Sequence, residues 1–470
     1  MTLLAGFLLP TWLGLAVVGA CGGFGRGVSA SGRVLGAIVA LPLGLGLTSA
    51  VAFLWIATWR PCVGTAGEVG LELLLAVLGS AAWWLRQRSD AGQERQPASA
   101  PRPGLLLAGL GSLALAVGGW RLVRVWLVAT YRHPGGDWDA LAIWNLKARF
   151  LFWPEGWDRA FSPEIAWSHP DYPLLLPAFL ARTWIWLGDR SWIVPAATSL
   201  AFLLLVVALA TVSAYRLRGW VPALVAGVLV WGVAYTSLGF NQYADMPLAL
   251  YFLATNVLLL ESAHNPGSRG PLVLAGLAAG AMVWTKNEGW AMLTALLASE
   301  GVVAWRDRLT ASEVRARALA FGVGLLPLAA TTVLFKLTFA PANDLVDRVA
   351  WGGLVDPGRL ATILGRVAGA LASYGPFRLP LAVVLLALVL VLGVAVPPAL
   401  RSAATSLAVR LPLVLAAYCA AFAVTPNPLE WHLATTLERL LSQLLPSAVL
   451  LATLAMGPIE NRPAAPDSRL

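Results

Sequence analysis

The side chains of this chain that could do chemistry sit at the edges of its apolar runs. Asp137 and Asp139 lie in the sequence GGDWD. Two carboxylates at the lip of a partly dry cavity can have one pKa pushed up, and either could take a proton as general base. The same residues also read as a turn, with Asp137 capping a helix that starts near Ala140. Lys147 and Arg149 follow. Cations there suit an anionic lipid headgroup, and equally suit snorkelling toward the headgroup layer. His169 and Asp171, in HPDYP, could touch sugar hydroxyls, supply a second base, or cap a helix. Asp245, in YADMP, is placed for an N-terminal cap favoured by the helix dipole, and a capping carboxylate can also bind substrate. In the tight turn TKNEG, Lys286 and Glu288 could pair with each other. Alternatively Lys286 neutralises a phosphate while Glu288 orients it or a sugar. Helical spacing from Glu430 and His432 lets Arg439 point into a bundle and reach a phosphate, or form an Arg–Glu pair at the interface.

Composition says what must position these groups. Of 470 residues, 58% are hydrophobic and only 12% charged, with a mean hydropathy of +0.73, too apolar for a soluble domain. At about 20 residues per spanning helix, the chain has room for a dozen or so. The net charge of +9 fits arginine-rich loops at a membrane, not a nucleic-acid footprint. Cys21, Cys62 and Cys419 are too far apart for a disulfide framework or a metal-site spacing. No Lys or Arg precedes the first apolar run, which therefore reads as an uncleaved helix.

Apolar runs place helices at 3–20, 34–57, 68–85 and 105–128. The polar, arginine-bearing linker Arg86 to Gly104 interrupts them and is assigned to the cytoplasm. The long polar interval Gly135 to Pro173, with tryptophans at 138, 144, 153, 157 and 167, then lies outside. Leu174 to Leu187 is half a proper span and is expected to lie on the outer face. Further spans fall at 193–213, 220–240, 245–261, 271–285, 289–305, 318–339, 379–396, 409–424 and 440–457. A second outer segment, 340–378, carries Asp344, Asp347, Arg348 and Arg359. The expected architecture is an all-α integral-membrane bundle of about thirteen helices, its unusual polar residues gathered on one face. It divides into 1–104, a core of 105–340 with outer loop 131–192, and 341–470.

In these motifs the chain resembles the polytopic GT-C glycosyltransferases, specifically bacterial members related to the protein mannosyltransferase and aminoarabinose transferase group. The resemblance rests on Asp137-Trp138-Asp139 early in the first large outer loop, then HPDYPLLLP, YADMPLALYFL and TKNEG in that order, and on WDALAIWNLKARFLF. It covers 105–300 well, and 300–457 through architecture and EWHLATTLERLLSQLLP. It implies a GT-C-like fold that transfers a sugar from a polyprenyl-phosphate donor to a glycan, lipid or protein acceptor. Sugar transfer would take place at the extracytoplasmic face of a bacterial inner membrane, with no nucleic-acid partner. Asp139 or Asp137 would be the base. Lys147, Arg149, Lys286 and Arg439 would meet the lipid phosphate, with His169, Asp171, Asp245, Glu288 and His432 also binding substrate. Lipid phosphate is already a good leaving group, so no cofactor is required, and a divalent metal is left open. A transporter or flippase would instead line a through-membrane path with charges, and a scaffold subunit would tolerate loss of both aspartates.

Overall fold

The computed structural model describes residues 2–25, 28–89, 105–234, 239–342, 349–373 and 380–457. Most of the linker 86–104, together with Asp344, Asp347 and Arg348, lies outside the described residues. Those described form helices and no strand, with one isolated bridge between Val394 and Met456. An apolar chain in lipid must satisfy its backbone within itself, and helices do so locally.

The helices run α1 Thr2–Ala20, α2 Ala30–Thr58, α3 Arg60–Ser89 and α4 Leu105–Arg132, then the short α5 Asn145–Phe152 and α6 Leu175–Leu187. Next come α7 Ile193–Arg218, α8 Trp220–Ala234, α9 Asp245–His264, α10 Gly270–Thr285, α11 Glu288–Arg306 and α12 Ala311–Thr338. The last four are α13 Pro357–Ser373, α14 Leu381–Leu392, α15 Arg401–Val424 and α16 Leu429–Ala455. Seven helices among the described residues are long and apolar enough to cross a membrane. Ser29 starts α2 by accepting from the Gly32 amide, and Thr310 with Glu313 forms a reciprocal capping box at α12.

At the centre stands α9, buried on every side from Asp245 to Ser262. Small residues let its neighbours approach closely. A Cβ on Gly14 of α1 would meet the Ala40 carbonyl of α2 at 1.8 Å, and one on Gly324 of α12 would meet the Val273 carbonyl of α10 at the same distance.

Polar ties fix the two ends of the bundle. Arg216, near the end of α7, forks onto Glu261 near the end of α9 and donates to Ser29 and Ser31 at the start of α2. At the other end the start of α9 meets the end of α10. There α6 lies across the bundle: Ser49 of α2 donates to the Leu175 carbonyl and accepts from Trp284 of α10, while Arg182 donates to the Gly6 carbonyl of α1. Thirteen residues of helix reach only about 20 Å, short of a bilayer core. Both attachments of α6 lie toward the same end.

Candidate functional site

The site is built by stitching the loop after α4 to the loop before α9. Gly136 has φ +79°, and a Cβ there would stand 2.6 Å from the Asn241 carbonyl. The Asp137 amide donates to that same carbonyl at 3.1 Å. Asn145 donates to the Gly135 carbonyl and to Gln242, and Gln242 donates back to the Pro134 carbonyl. A single π-helical turn, Ala140–Trp144, follows and leads into α5. This stitching sets Asp139 beside the first turn of α9.

There a chain of alternating charges forms. The Arg439 Nη2 lies 2.7 Å from Asp139 Oδ2 and 3.0 Å from Asp245 Oδ2. The other oxygen of Asp245 accepts from Lys286 at 3.1 Å and from Gln443 at 2.6 Å. Lys286 also pairs with Glu288 at 2.8 Å. Burial works against the Lys286 ammonium, but Asp245 and Glu288 outweigh it and hold it charged above its ordinary range. Tyr243 puts its ring 4.6 Å from the Arg439 guanidinium, and burial pushes its hydroxyl up to about 12, so it remains a donor. Tyr418 donates to Gln443 at 2.6 Å.

Asp245 and Asp139 are placed differently. Asp245 is 0% exposed and both its oxygens are taken; it does not cap its helix. Asp139 is 18% exposed, and its Oδ1 has no partner among the described residues. The Nη1 of Arg439 is likewise without a described partner.

A second cluster adjoins the first through the turn between α10 and α11. Asp171 accepts from Asn287 at 2.8 Å and from Lys336 of α12 at 3.2 Å. Lys147 is fully buried, donates to the backbone carbonyls of His169 and Tyr172, and faces the Tyr172 ring. Burial brings it down to about 7; Asp171 pulls it up and Lys336 pushes it further down. His169 adopts φ +48° and stacks on Tyr172 at 4.8 Å.

Other expected residues stand apart. Asp137 accepts from the next amide, Trp138, as a turn residue would, and is exposed. Arg149 lies over Trp192 at 4.4 Å, away from Arg439. His432 shares a 2.9 Å hydrogen bond with Thr425, and Glu430 is an exposed partner of Arg366. Tyr243, Gln443, Asn287 and Lys336 were not expected at the site. Gln443 carries a readable signal, since it stands one turn after Arg439 on the same face.

Charge also lies outside this cluster. Arg182 forks onto the buried Glu72 of α3, and the buried Arg410 of α15 binds Asn256, Ser299 and the half-buried Glu300. The expected polar residues Asp139, Asp245, Lys286, Glu288 and Arg439 thus meet at one end of the bundle, and these paired charges lie outside their cluster. Among the described residues no group of three or more His, Cys, Asp or Glu side chains is placed to hold a metal ion.

With helices and no strand among the described residues, seven of them apolar and long enough to cross a membrane, the chain has the make-up of a multi-pass membrane protein. No protein-family model, curated protein or solved structure matches it.

Proposed function

We propose that this chain is a GT-C-type membrane glycosyltransferase of about thirteen spans. It would move a sugar from a polyprenyl-phosphate donor to an acceptor hydroxyl on the extracytoplasmic face. The observation that carries this reading is Arg439 held between Asp139 and Asp245, with an open Asp139 oxygen beside an open guanidinium edge. Asp139 takes the acceptor hydroxyl proton, and the freed oxygen pair attacks the anomeric carbon of the sugar. The bond from that carbon to the lipid phosphate oxygen breaks, and the phosphate leaves with the electron pair. Arg439 and Lys286 balance its charge, as preorganised cations do most effectively in a water-poor site. Asp245 is the positioning residue, holding both cations from beneath.

The deep charges of the bundle support this reading over a transporter. Arg182 and Arg410 are each forked onto carboxylate or amide partners, a static arrangement rather than a string of exchangeable sites.

The test is transfer from labelled polyprenyl-phosphate sugars in membranes carrying wild type, Asp137→Ala or Asp139→Ala. Product is expected with wild type and Asp137→Ala and lost with Asp139→Ala. Full activity of Asp139→Ala removes Asp139 as base. Absence of turnover across a broad donor panel, with solute flux in vesicles, assigns the chain to transport instead.

A further inference from the structure

Away from the proposed catalytic site, α4 carries a line of basic residues. Arg124, Val128 and Arg132 follow at four-residue steps, with Arg121 three residues before them, so all share one helix face. Together with His133 they line a groove of about 460 Å³. The three arginines and His133 are exposed, and no described carboxylate pairs with any of them.

The adjoining flank of α4, which packs on the bundle, sets how deep this groove runs. Gly111 packs against Trp220 at the start of α8, Gly118 against Trp231, and Trp126 donates to the Ala196 carbonyl near the start of α7. Gly111 and Trp126 are thus level with opposite ends of the bundle, about 22 Å apart along the helix. Arg121 and Arg124 fall between those levels. The surface around them is apolar and open: Trp120 is 66% exposed and Leu127 53%. Helical side chains lean toward the helix N-terminus, so Arg121 leans away from Arg132, which lies about 16 Å along the axis. An arginine in that position needs an anion brought to it.

We infer that the α4 groove is a binding site for an anionic membrane phospholipid. Its phosphate is drawn in by Arg124 and Arg121, and its acyl chains lie on the apolar flank of the helix. A guanidinium fork matches phosphate oxygens, and the absence of a described carboxylate leaves the fork unspent. This site contains none of the residues proposed for sugar transfer.

The experiment is native mass spectrometry of the full chain released from nanodiscs holding equal phosphatidylglycerol and phosphatidylcholine. Wild type is expected to retain phosphatidylglycerol preferentially, and R121Q/R124Q to lose about tenfold of that preference, since each arginine near an anionic lipid contributes a severalfold factor. R121K/R124K keeps the charge and is expected to keep part of the preference, which covers the case of a poorly folding glutamine variant. Raising salt should weaken retention of the anionic lipid alone. Equal retention of both lipids by wild type, or an unchanged preference in R121Q/R124Q, overturns the inference. So does self-association in phosphatidylcholine that R121Q/R124Q abolishes, which would give the arginines to a neighbouring helix.

Discussion

Lys286 and Asn287 are adjacent in sequence yet serve different carboxylates: Lys286 reaches Asp245 at 3.1 Å, and Asn287 donates to Asp171 at 2.8 Å. The divergence follows from the backbone. Lys286 is extended, at φ −158° and ψ 154°, and successive side chains on extended backbone point to opposite sides. Gly289 then lets α11 close against α10, since a Cβ there would stand 2.3 Å from the Met282 carbonyl. One five-residue turn thereby couples the Arg439 cluster to the loop that holds Asp171.

Asp139 and Asp245 should respond differently to the same change. Asp139→Asn keeps the shape and loses the base, so transfer is expected to fall by about a hundredfold or more at unchanged folded yield. Asp245→Asn leaves Lys286 and Arg439 buried without their shared anion, a loss of about 3–5 kcal/mol for a broken buried pair. It should lower the melting temperature in detergent as well as the rate. Folded yield and transfer measured side by side separate the two. Equal loss of stability in both variants would refute the division of roles.

Lys147 makes stability depend on pH. Its folded value is lowered to about 7 against an ordinary 10.5, so between these limits the unfolded chain binds more protons. Stability contributed at this position therefore rises with pH from about 7 to about 10, with a slope of at most about 1.4 kcal/mol per pH unit. Below that window the cost of burying the charge is fully present. Melting temperature in detergent from pH 7 to 9.5 should climb more steeply for wild type than for Lys147→Met. Parallel curves would show that Lys147 does not titrate there.

Gly136 is where the backbone itself sets the position of Asp139. Its positive φ and its contact with the Asn241 carbonyl both exclude a Cβ. Gly136→Ala is expected to cost about 1–3 kcal/mol and to move Asp139 off Arg439. Transfer should then fall further than in Gly188→Ala, a change at another positive-φ glycine with open space around it. Equal activity of the two variants would mean that the stitch to Asn241 does not position Asp139.

Much of the cluster was legible in the sequence because charges at the edge of an apolar run are conspicuous. Asp139, Asp245, Lys286, Glu288 and Arg439 were all visible that way, and they meet. Pairing was not legible. That Arg439 would bridge two aspartates, one of them 300 positions away, depends on how α16 packs against α9. Lys147 read as a cation for phosphate, whereas its own loop folds over it and satisfies it with carbonyls. Gln443 is neutral and gave no charge signal, though its step from Arg439 could have been noticed. Of the helices, α6 was legible as a short element, since the apolar run Leu174 to Leu187 is bounded by Pro173 and Gly188 and forms a helix of thirteen residues.

Arg182 and Glu72 show why a deep pair could not be inferred from spacing, and they yield a clean test. Both side chains are 0% exposed, joined by two parallel hydrogen bonds across 110 positions, and Arg182 also stacks on Trp186 at 3.8 Å. Glu68, 1% exposed, also lies 3.9 Å from Arg182, so Glu72→Leu or Arg182→Met alone unbalances a buried cluster of three charges and should cost about 3–5 kcal/mol. Removing all three charges, with Glu68→Gln added to the pair, strands nothing and should cost far less, because similar volume refills the space. The pair matters to the site because α6 begins two residues after Pro173, and the loop before it carries Asp171. Each single variant should therefore lose transfer activity along with melting temperature, and the triple variant should recover both. A triple variant as unstable as the sum of the singles would mean that Arg182 holds α6 through its Gly6 and Trp186 contacts rather than through charge balance.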